Sequence, residues 1–286
     1  MNLFARRCLS AIVAGLGAAL LAGCSGPRGV AGRTIENTDR VYLSRADRLG
    51  MDKQADSLKR RECGKVYLLD GTMGDVVSVL RHCRRGLMAA DLPWAMEIWP
   101  WQHGWRSGFL REIFDIERNR RQADGLAEEI RAYRREYPGR PVRLIGMSAG
   151  AAVVTFALEQ LPADAVTDVV LLSCAVSADY DMTRALTAVK RRAIVVHSTF
   201  DFLVLGLGTS VVGAVDRQRG VSAGMTGFRW EADRLTDAQR RQYAKLTQIR
   251  WRPWMIGLGY FGEHATSSSM SFAARVLAPL LVEEAS

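Results

Sequence analysis

Residues 143–153 read RLIGMSAGAAV, and at their centre Gly146-Met147-Ser148-Ala149-Gly150 forms a G-x-S-x-G pentapeptide. A second pentapeptide of the same pattern, GVSAG, spans 220–224 around Ser222. The pattern alone is weak, and finding it twice means that context must decide between the serines. To expose a serine above a sheet, a strand must run into a tight turn and straight out into a helix. Glycines two before and two after the serine let the backbone pass close by in a strained conformation. Ser148 has that setting, with VRLI before it and AAVVTFALEQL after it. Ser222 is preceded by DRQR and followed by MTGFRW, which read as neither strand nor helix. Ser222 is therefore read as a loop serine, and Ser148 as the candidate nucleophile.

Outward from this turn the chain alternates between strands and helices. KVYLLDG (65–71) reads as a buried strand ending in a turn, and 74–92 has helical spacing at Val76, Val77, Leu80, Cys83 and Leu87. WAMEIWPW (94–101) is the next strand. A long amphipathic helix then carries Ala123, Leu126, Ile130, Tyr133 and Tyr137 on one stripe until Pro138-Gly139 stops it. VTDVVLLSCA (166–175) and RAIVVHS (192–198) are further strands, flanking a short helix at 181–189. Their unbroken apolar runs are expected where both faces of a strand are covered. A Gly-rich stretch (206–227) precedes a polar helix around 236–247, a possible strand QIRWRPW (248–254) and a final helix from about Ser268 to Leu281. The order predicts an α/β fold: a mostly parallel central sheet with helices on both faces, and active loops at the carboxyl ends of the strands. Residues 41–62 are polar with weak helical spacing and have no firm place in this scheme.

A serine at its ordinary pKa is inert, so a base and an orienting acid are needed. AIVVHSTFDFLV places Asp201 just past a strand, two strands after that of Ser148. GYFGEHATSSS places His264 in a Gly-flanked loop before the last helix. Ser222 lies too close to His264 in sequence for the intervening strands.

With these residues in hand, the span from about 65 to 281 resembles the α/β-hydrolase superfamily. The elbow, the HSTFD segment and the loop histidine carry the resemblance. It implies Ser148 as nucleophile, His264 as base and Asp201 as the acid that fixes the imidazole tautomer. It also implies an oxyanion hole from the backbone N–H of Ala149 and a second donor after the first strand. There the family often carries His-Gly, whereas this chain has LLDGTMGD, with Asp70 in place of the histidine. By position Gly71 keeps the turn and Thr72 presents the N–H, with Met73 as the fallback. The Gly-rich stretch, with Phe228 and Trp230, lies where such hydrolases often insert a small cap; Asp216 and Arg217 within it read as an ion pair or as substrate contacts.

Other residues compete for these roles. His197 lies in a buried-strand pattern and reads as structural, bonding near Asp201, and His82 reads as solvated. Asp179 and Asp181 follow the previous strand, a location some lipases use for the acid. Trp99, Trp101 and Trp105 cluster with His103 after the second strand; Trp101 and His103 are the candidate substrate contacts, with core packing the alternative for the tryptophans.

At the amino end, Arg6 and Arg7 precede an apolar run too short to span a bilayer, which has the length of a signal-peptide core. Leu21-Ala22-Gly23-Cys24 resembles the lipobox of bacterial lipoproteins, which implies removal of 1–23 and a diacylglyceryl thioether on Cys24. Ser25 in place of an aspartate points to an outer-membrane address facing the periplasm. Residues 24–62 then form the lipidated cysteine and a tether, and 63–286 the hydrolase domain. The net charge of +9 falls by two on processing, and its arginines interleave with acids over 118–143. This pattern reads as a solvated helix face rather than a nucleic-acid groove, with attraction to anionic lipid headgroups as a secondary expectation. Cys63, Cys83 and Cys174 remain; a Cys63–Cys83 disulfide stays open. No cysteine or histidine spacing suggests a metal, and no cofactor is expected. The absence of a G-x-G-x-x-G turn argues against a Rossmann-type binder.

The sequence therefore points to a membrane-anchored serine hydrolase acting on a small-molecule ester or thioester through an acyl-enzyme. A peptidase or acyltransferase on the same three groups stays open, as does the oligomeric state. The alternative is a catalytically silent hydrolase-like binding or envelope-structural lipoprotein, favoured only by Asp-Gly in place of His-Gly.

Overall fold

A computed structural model of the chain describes residues 45–72, 74, 78–102, 115–203 and 220–282. Six strands form one sheet: β1 (Lys65–Leu69), β2 (Ala95–Ile98), β3 (Val142–Met147), β4 (Val166–Leu172), β5 (Val189–His197) and β6 (Leu246–Arg250). Their order is β2-β1-β3-β4-β5-β6, and every neighbouring pair is parallel. This is the α/β-hydrolase architecture that the alternation of elements predicts.

Parallel pairing requires a crossover between successive strands, and helices supply most of them. Two short helices, α1 (Arg45–Gln54) and α2 (Leu58–Arg61), precede the sheet. Then come α3 (Leu80–Ala89), α4 (Ile116–Glu136), α5 (Ala149–Leu158), α6 (Thr183–Thr187), α7 (Ala223–Thr226) and α8 (Asp237–Tyr243). The final helical run is α9 (Met270–Phe272), a π turn (Ala273–Leu277) and α10 (Ala278–Val282).

Successive side chains of a strand point to opposite faces, so a strand buried on both sides feeds two cores. Tyr67 and Leu69 of β1, and Val169 and Leu171 of β4, join α4, α5 and α6 on one face. Val66 and Leu68, with Val170 and Leu172, join α3 and the C-terminal helices on the other. At the amino ends of the strands, Asp168 is fully buried between Arg143 (2.9 Å) and Arg191 (2.7 Å). Both guanidinium groups also donate to the Leu281 carbonyl, which ties the last helix to the sheet.

Helices α1 and α2 are joined to the sheet and to α3 by residues within 52–60. The Ala55 carbonyl accepts from Met96 N on the edge strand, and Asp52 pairs with Arg84 and Arg85 of α3, each at 2.7 Å. The Cys63–Cys83 bridge left open by the sequence does not form: Cys63 is an exposed thiol and Cys83 is fully buried in the core. The segment expected as a small cap falls largely outside the described residues. So do Cys24, Met73, His103, Trp105, Asp216 and Arg217.

Candidate functional site

The strand register aligns Leu69 with Gly146, Met147 with Leu172 and Leu172 with Val196. The residues that leave the sheet next, Asp70, Ser148, Ser173 and Ser198, therefore stand along one carboxyl edge. Ser148 has φ 54° and ψ −123°, a positive φ that residues with a Cβ rarely adopt. Such a conformation costs about 1–3 kcal/mol and persists only where its surroundings enforce it.

The surroundings here are backbone. Ser148 N donates to Leu172 O (3.0 Å), and Ser148 O accepts from Ala151 N (3.1 Å) and Ala175 N (3.2 Å). The two glycines of the pentapeptide allow this closeness. A Cβ on Gly146 would lie 2.6 Å from Ala151 Cα, and one on Gly150 would lie 2.3 Å from both Asp70 O and Leu69 O. Ser148 is the only residue between β3 and α5, so Ala149 N–H is the first of the helical amides, which have no intrahelical acceptor.

Asp201 lies in a 3₁₀ turn (Thr199–Leu203) after β5, and His264 immediately precedes another (Ala265–Ser268). His264 Nδ1 is 2.9 Å from Asp201 Oδ1 and 3.0 Å from Oδ2, with both residues buried. A carboxylate can only accept, so Nδ1 carries the proton and Nε2 of the neutral ring keeps its lone pair. Burial alone would depress the His264 pKa, but the adjacent Asp201 charge and hydrogen bond hold it above the ordinary histidine value. Burial raises the Asp201 carboxyl, with His264 and the Ser173 hydroxyl pulling the other way.

The end of β4 connects this pair to the elbow. The Ser173 hydroxyl lies 3.4 Å from His264 O and 3.3 Å from Ser267 Oγ. One residue earlier, Leu172 O holds Ser148 N. Ser173 itself has φ 46°. The sequence does not single it out, since neither its backbone angle nor the two distant partners of its hydroxyl leave a local pattern.

Gly71 stands beside the elbow. A Cβ on Gly71 would lie 3.1 Å from Ser148 Cβ, and Gly74 N closes a turn onto Gly71 O (3.2 Å). The turn is braced by Asp70, whose side chain reaches forward to accept from Ser78 Oγ (2.5 Å) and Leu80 N (2.9 Å). Helix α3 has no local side-chain cap, so this remote carboxylate satisfies one of its free amides. Burial pushes the Asp70 carboxyl up to about 6, against the hydrogen bonds it accepts from Ser78 and Leu80. Asp70→Ala would strand these donors and is expected to lower unfolding free energy by about 2 kcal/mol. Asp70→Asn, which keeps an acceptor, should recover part of the loss in a denaturant titration.

Trp101, expected as a substrate contact, takes a different position. It is 1% exposed, its indole N–H donates to Asp70 O (2.7 Å), and the Arg118 guanidinium lies 5.7 Å from its ring centre. Gln102 Nε2 donates to Gly71 O (3.1 Å). Residues 101–102 thus clamp the 70–71 turn from outside, and burial keeps Trp101 from lining an open wall.

The rival residues are engaged elsewhere. Asp179 makes an exposed ion pair with Arg229 (2.6 Å), and Asp181 accepts from Thr183 at the start of α6. His197 is buried at the end of β5, and burial lowers its pKa. Ser222 is not in a loop, as its flanking sequence suggests, but at the N-cap of α7, fully buried and bridged to Ser177. Among the described residues no cluster of His, Cys, Asp or Glu could hold a metal ion. No described helix is long and apolar enough to cross a membrane.

A family model described as bacterial virulence protein (VirJ) matches residues 108–186, a span that contains the elbow. No curated protein matches the sequence. Among solved structures, an uncharacterized protein from Bacillus cereus ATCC 10987 aligns at 12% identity and a TM-score of 0.42 over 77% of this chain, which spans 61% of that protein. A lipase-esterase related protein from Clostridium acetobutylicum ATCC 824 aligns at 12% identity and 0.41, over 79% of this chain and 96% of that one. A cutinase-like protein from Cryptococcus sp. aligns at 15% and 0.39, over 81% of this chain and 100% of that one. At these values the fold assignment rests on the sheet order and the strand–turn–helix at Ser148.

Proposed function

We propose that this protein is a serine hydrolase that cleaves a carboxylic ester or thioester through an acyl-enzyme, exported and anchored through an acylated Cys24. The observation that carries this reading is the strained Ser148 at the strand–helix turn, on the same sheet edge as a buried His264–Asp201 pair. In the first half-reaction Ser148 Oγ attacks the acyl carbonyl while His264 Nε2 takes its proton. Asp201 stabilises the imidazolium so formed. The carbonyl oxygen gains negative charge and is met by the N–H groups of Ala149 and Thr72, each contributing about 3 kcal/mol. The tetrahedral intermediate expels the alcohol or thiol, which leaves with the proton from His264. Water then repeats the sequence on the acyl-serine, with His264 again as base, and releases the acid.

A series of p-nitrophenyl esters of increasing acyl length tests this reading. The expected result is a burst of nitrophenol equal to the enzyme concentration, followed by slower steady turnover. Hydrolysis no faster than buffer, by a folded protein, would favour a binding module. The signal-peptide and lipobox reading of 1–24 is supported by sequence alone. It predicts a mature N-terminus at an acylated Cys24, detectable by mass spectrometry.

The reaction should also depend on pH in a defined direction. Only the neutral imidazole can take the Ser148 proton, and the Asp201 charge raises the His264 pKa above the ordinary 6.5. Accordingly kcat/KM should rise with pH through an inflection above 6.5. An inflection well below that value would mean that Asp201 does not act on His264 in the working enzyme.

A further inference from the structure

Beside the site the surface carries large apolar side chains that nothing covers among the described residues. Phe200 is 62% exposed, Trp254 59%, Ile256 46% and Phe261 41%. They come from three loops at the carboxyl edge of the sheet: the turn after β5, the 3₁₀ helix after β6 (Pro253–Leu258), and the loop that leads to His264. Trp251 joins the three. Phe200 packs edge-on against its ring, with centroids 5.0 Å apart. Its Nε1 donates to Tyr260 O (2.9 Å), and a Cβ on Gly262 would lie 3.1 Å from the ring.

The 3₁₀ helix has three residues per turn, so one row faces inward and its two neighbours splay outward. Met255 is the buried row, which leaves Trp254 and Ile256 outside. The same edge is basic. Arg250 and Arg252 are exposed, form no ion pair among the described residues, and line a cavity of about 220 Å³ together with Phe200. Glu263, in the loop that leads to His264, is turned onto the amides of Ala265 and Thr266.

We propose that this face docks the protein on an anionic lipid surface. Large apolar side chains rimmed by arginine suit a bilayer interface. Trp and Phe rings settle at the headgroup–acyl boundary, and guanidinium groups pair with lipid phosphates. The charge is complementary, since the chain as a whole carries +9. Phe261 lies three residues before His264, and Phe200 immediately precedes Asp201. Docking through these loops therefore turns the Ser148 edge of the sheet toward the bilayer. This inference does not depend on the hydrolase reading, because a binding module could dock in the same way.

Co-sedimentation with vesicles tests it, using residues 25–286, which retain the whole described body and lack the acyl group. Wild type should bind phosphatidylcholine–phosphatidylglycerol vesicles at least tenfold more tightly than pure phosphatidylcholine, and lose that preference in high salt. The double variant Trp254→Ala, Phe261→Ala should weaken binding at least tenfold, and Arg252→Gln should reduce its salt dependence. Trp230→Ala, on another part of the surface, should bind as wild type. If wild type ignores anionic vesicles, or the double variant binds as wild type with an unchanged circular dichroism spectrum, the proposal fails. Concentration-dependent dimerisation that the double variant abolishes would assign the face to a second copy and overturn it as well. Unchanged hydrolysis of a short soluble ester by the double variant would separate docking from chemistry. Vesicle binding by a protein that hydrolyses no ester would leave docking standing and remove the hydrolase reading.

Discussion

Ser148→Ala is expected to lower ester turnover by about 10⁴-fold or more, leaving only the rate that binding and the oxyanion donors sustain. His264→Ala should fall nearly as far, and the double variant little further, because the two residues act as one unit. Turnover and stability should move in opposite directions at this position. The Ser148 backbone stands at φ 54° and ψ −123°, the mirror of ordinary extended backbone, which glycine adopts without a Cβ penalty. Ser148→Gly should therefore unfold at higher denaturant concentration than Ser148→Ala, which keeps the Cβ, by about 1 kcal/mol, while both remain inactive. Measurement of both variants by urea titration and by nitrophenyl ester hydrolysis separates strain from chemistry. Equal stabilities would mean that the elbow stores no strain.

The second large effect is expected at Gly150. Here an added methyl group would meet Asp70 O and Leu69 O at 2.3 Å. These are backbone atoms at the end of β1, one of the inner strands of the sheet, so no side-chain rotation relieves the clash. Helix α5 would have to move away from the sheet. Overpacking in a core typically costs 1–3 kcal/mol, and an obstacle made of backbone places Gly150→Ala at or above the top of that range, about 3 kcal/mol. The same shift displaces Ala149 N–H and Ser148 Oγ, and misplacement by about 1 Å can cost on the order of 100-fold in rate. Gly257→Ala is the control, since its Cβ would meet nothing within 4 Å. It should change neither stability nor turnover appreciably. Fluorescence-monitored unfolding of both variants reads the difference.

What could be read from the sequence depended on whether the constraint was local. Strands β1, β3 and β4, and β5 from Ala193 onward, are largely apolar runs with both faces buried, and such runs differ from amphipathic helices in composition as well as period. The turn at Ser148 was readable because its two glycines answer contacts within a few residues and against the neighbouring strand. Chain order alone put Asp201 and His264 at the same sheet edge, where their side chains meet.

The features the sequence left open depend on contacts distant in sequence. Asp70 departs visibly from a family pattern, but its bond to Leu80 N, ten residues on, carries no periodic signature. Trp101 could equally have lined a pocket or filled a core; a hydrogen bond to Asp70 O, 31 residues back, decides for the core. Helix α1 is held by ion pairs of Asp52 with Arg84 and Arg85, and α2 by Arg60, which donates to Leu92 O and Trp94 O; neither leaves an apolar stripe to read. The setting of Ser222 is not legible from its flanks because 174–178 make it, with Ala223 N and Gly224 N donating to Val176 O and Cys174 O.

The most direct test is covalent. A fluorophosphonate places a phosphoryl group on an activated serine, and digestion with mass spectrometry locates it. One adduct is expected, on the peptide containing Ser148, absent in Ser148→Ala and formed at least 100-fold more slowly in His264→Ala. An adduct at Ser222, or no adduct on folded protein with its site open to solvent, would contradict the assignment of Ser148 as nucleophile.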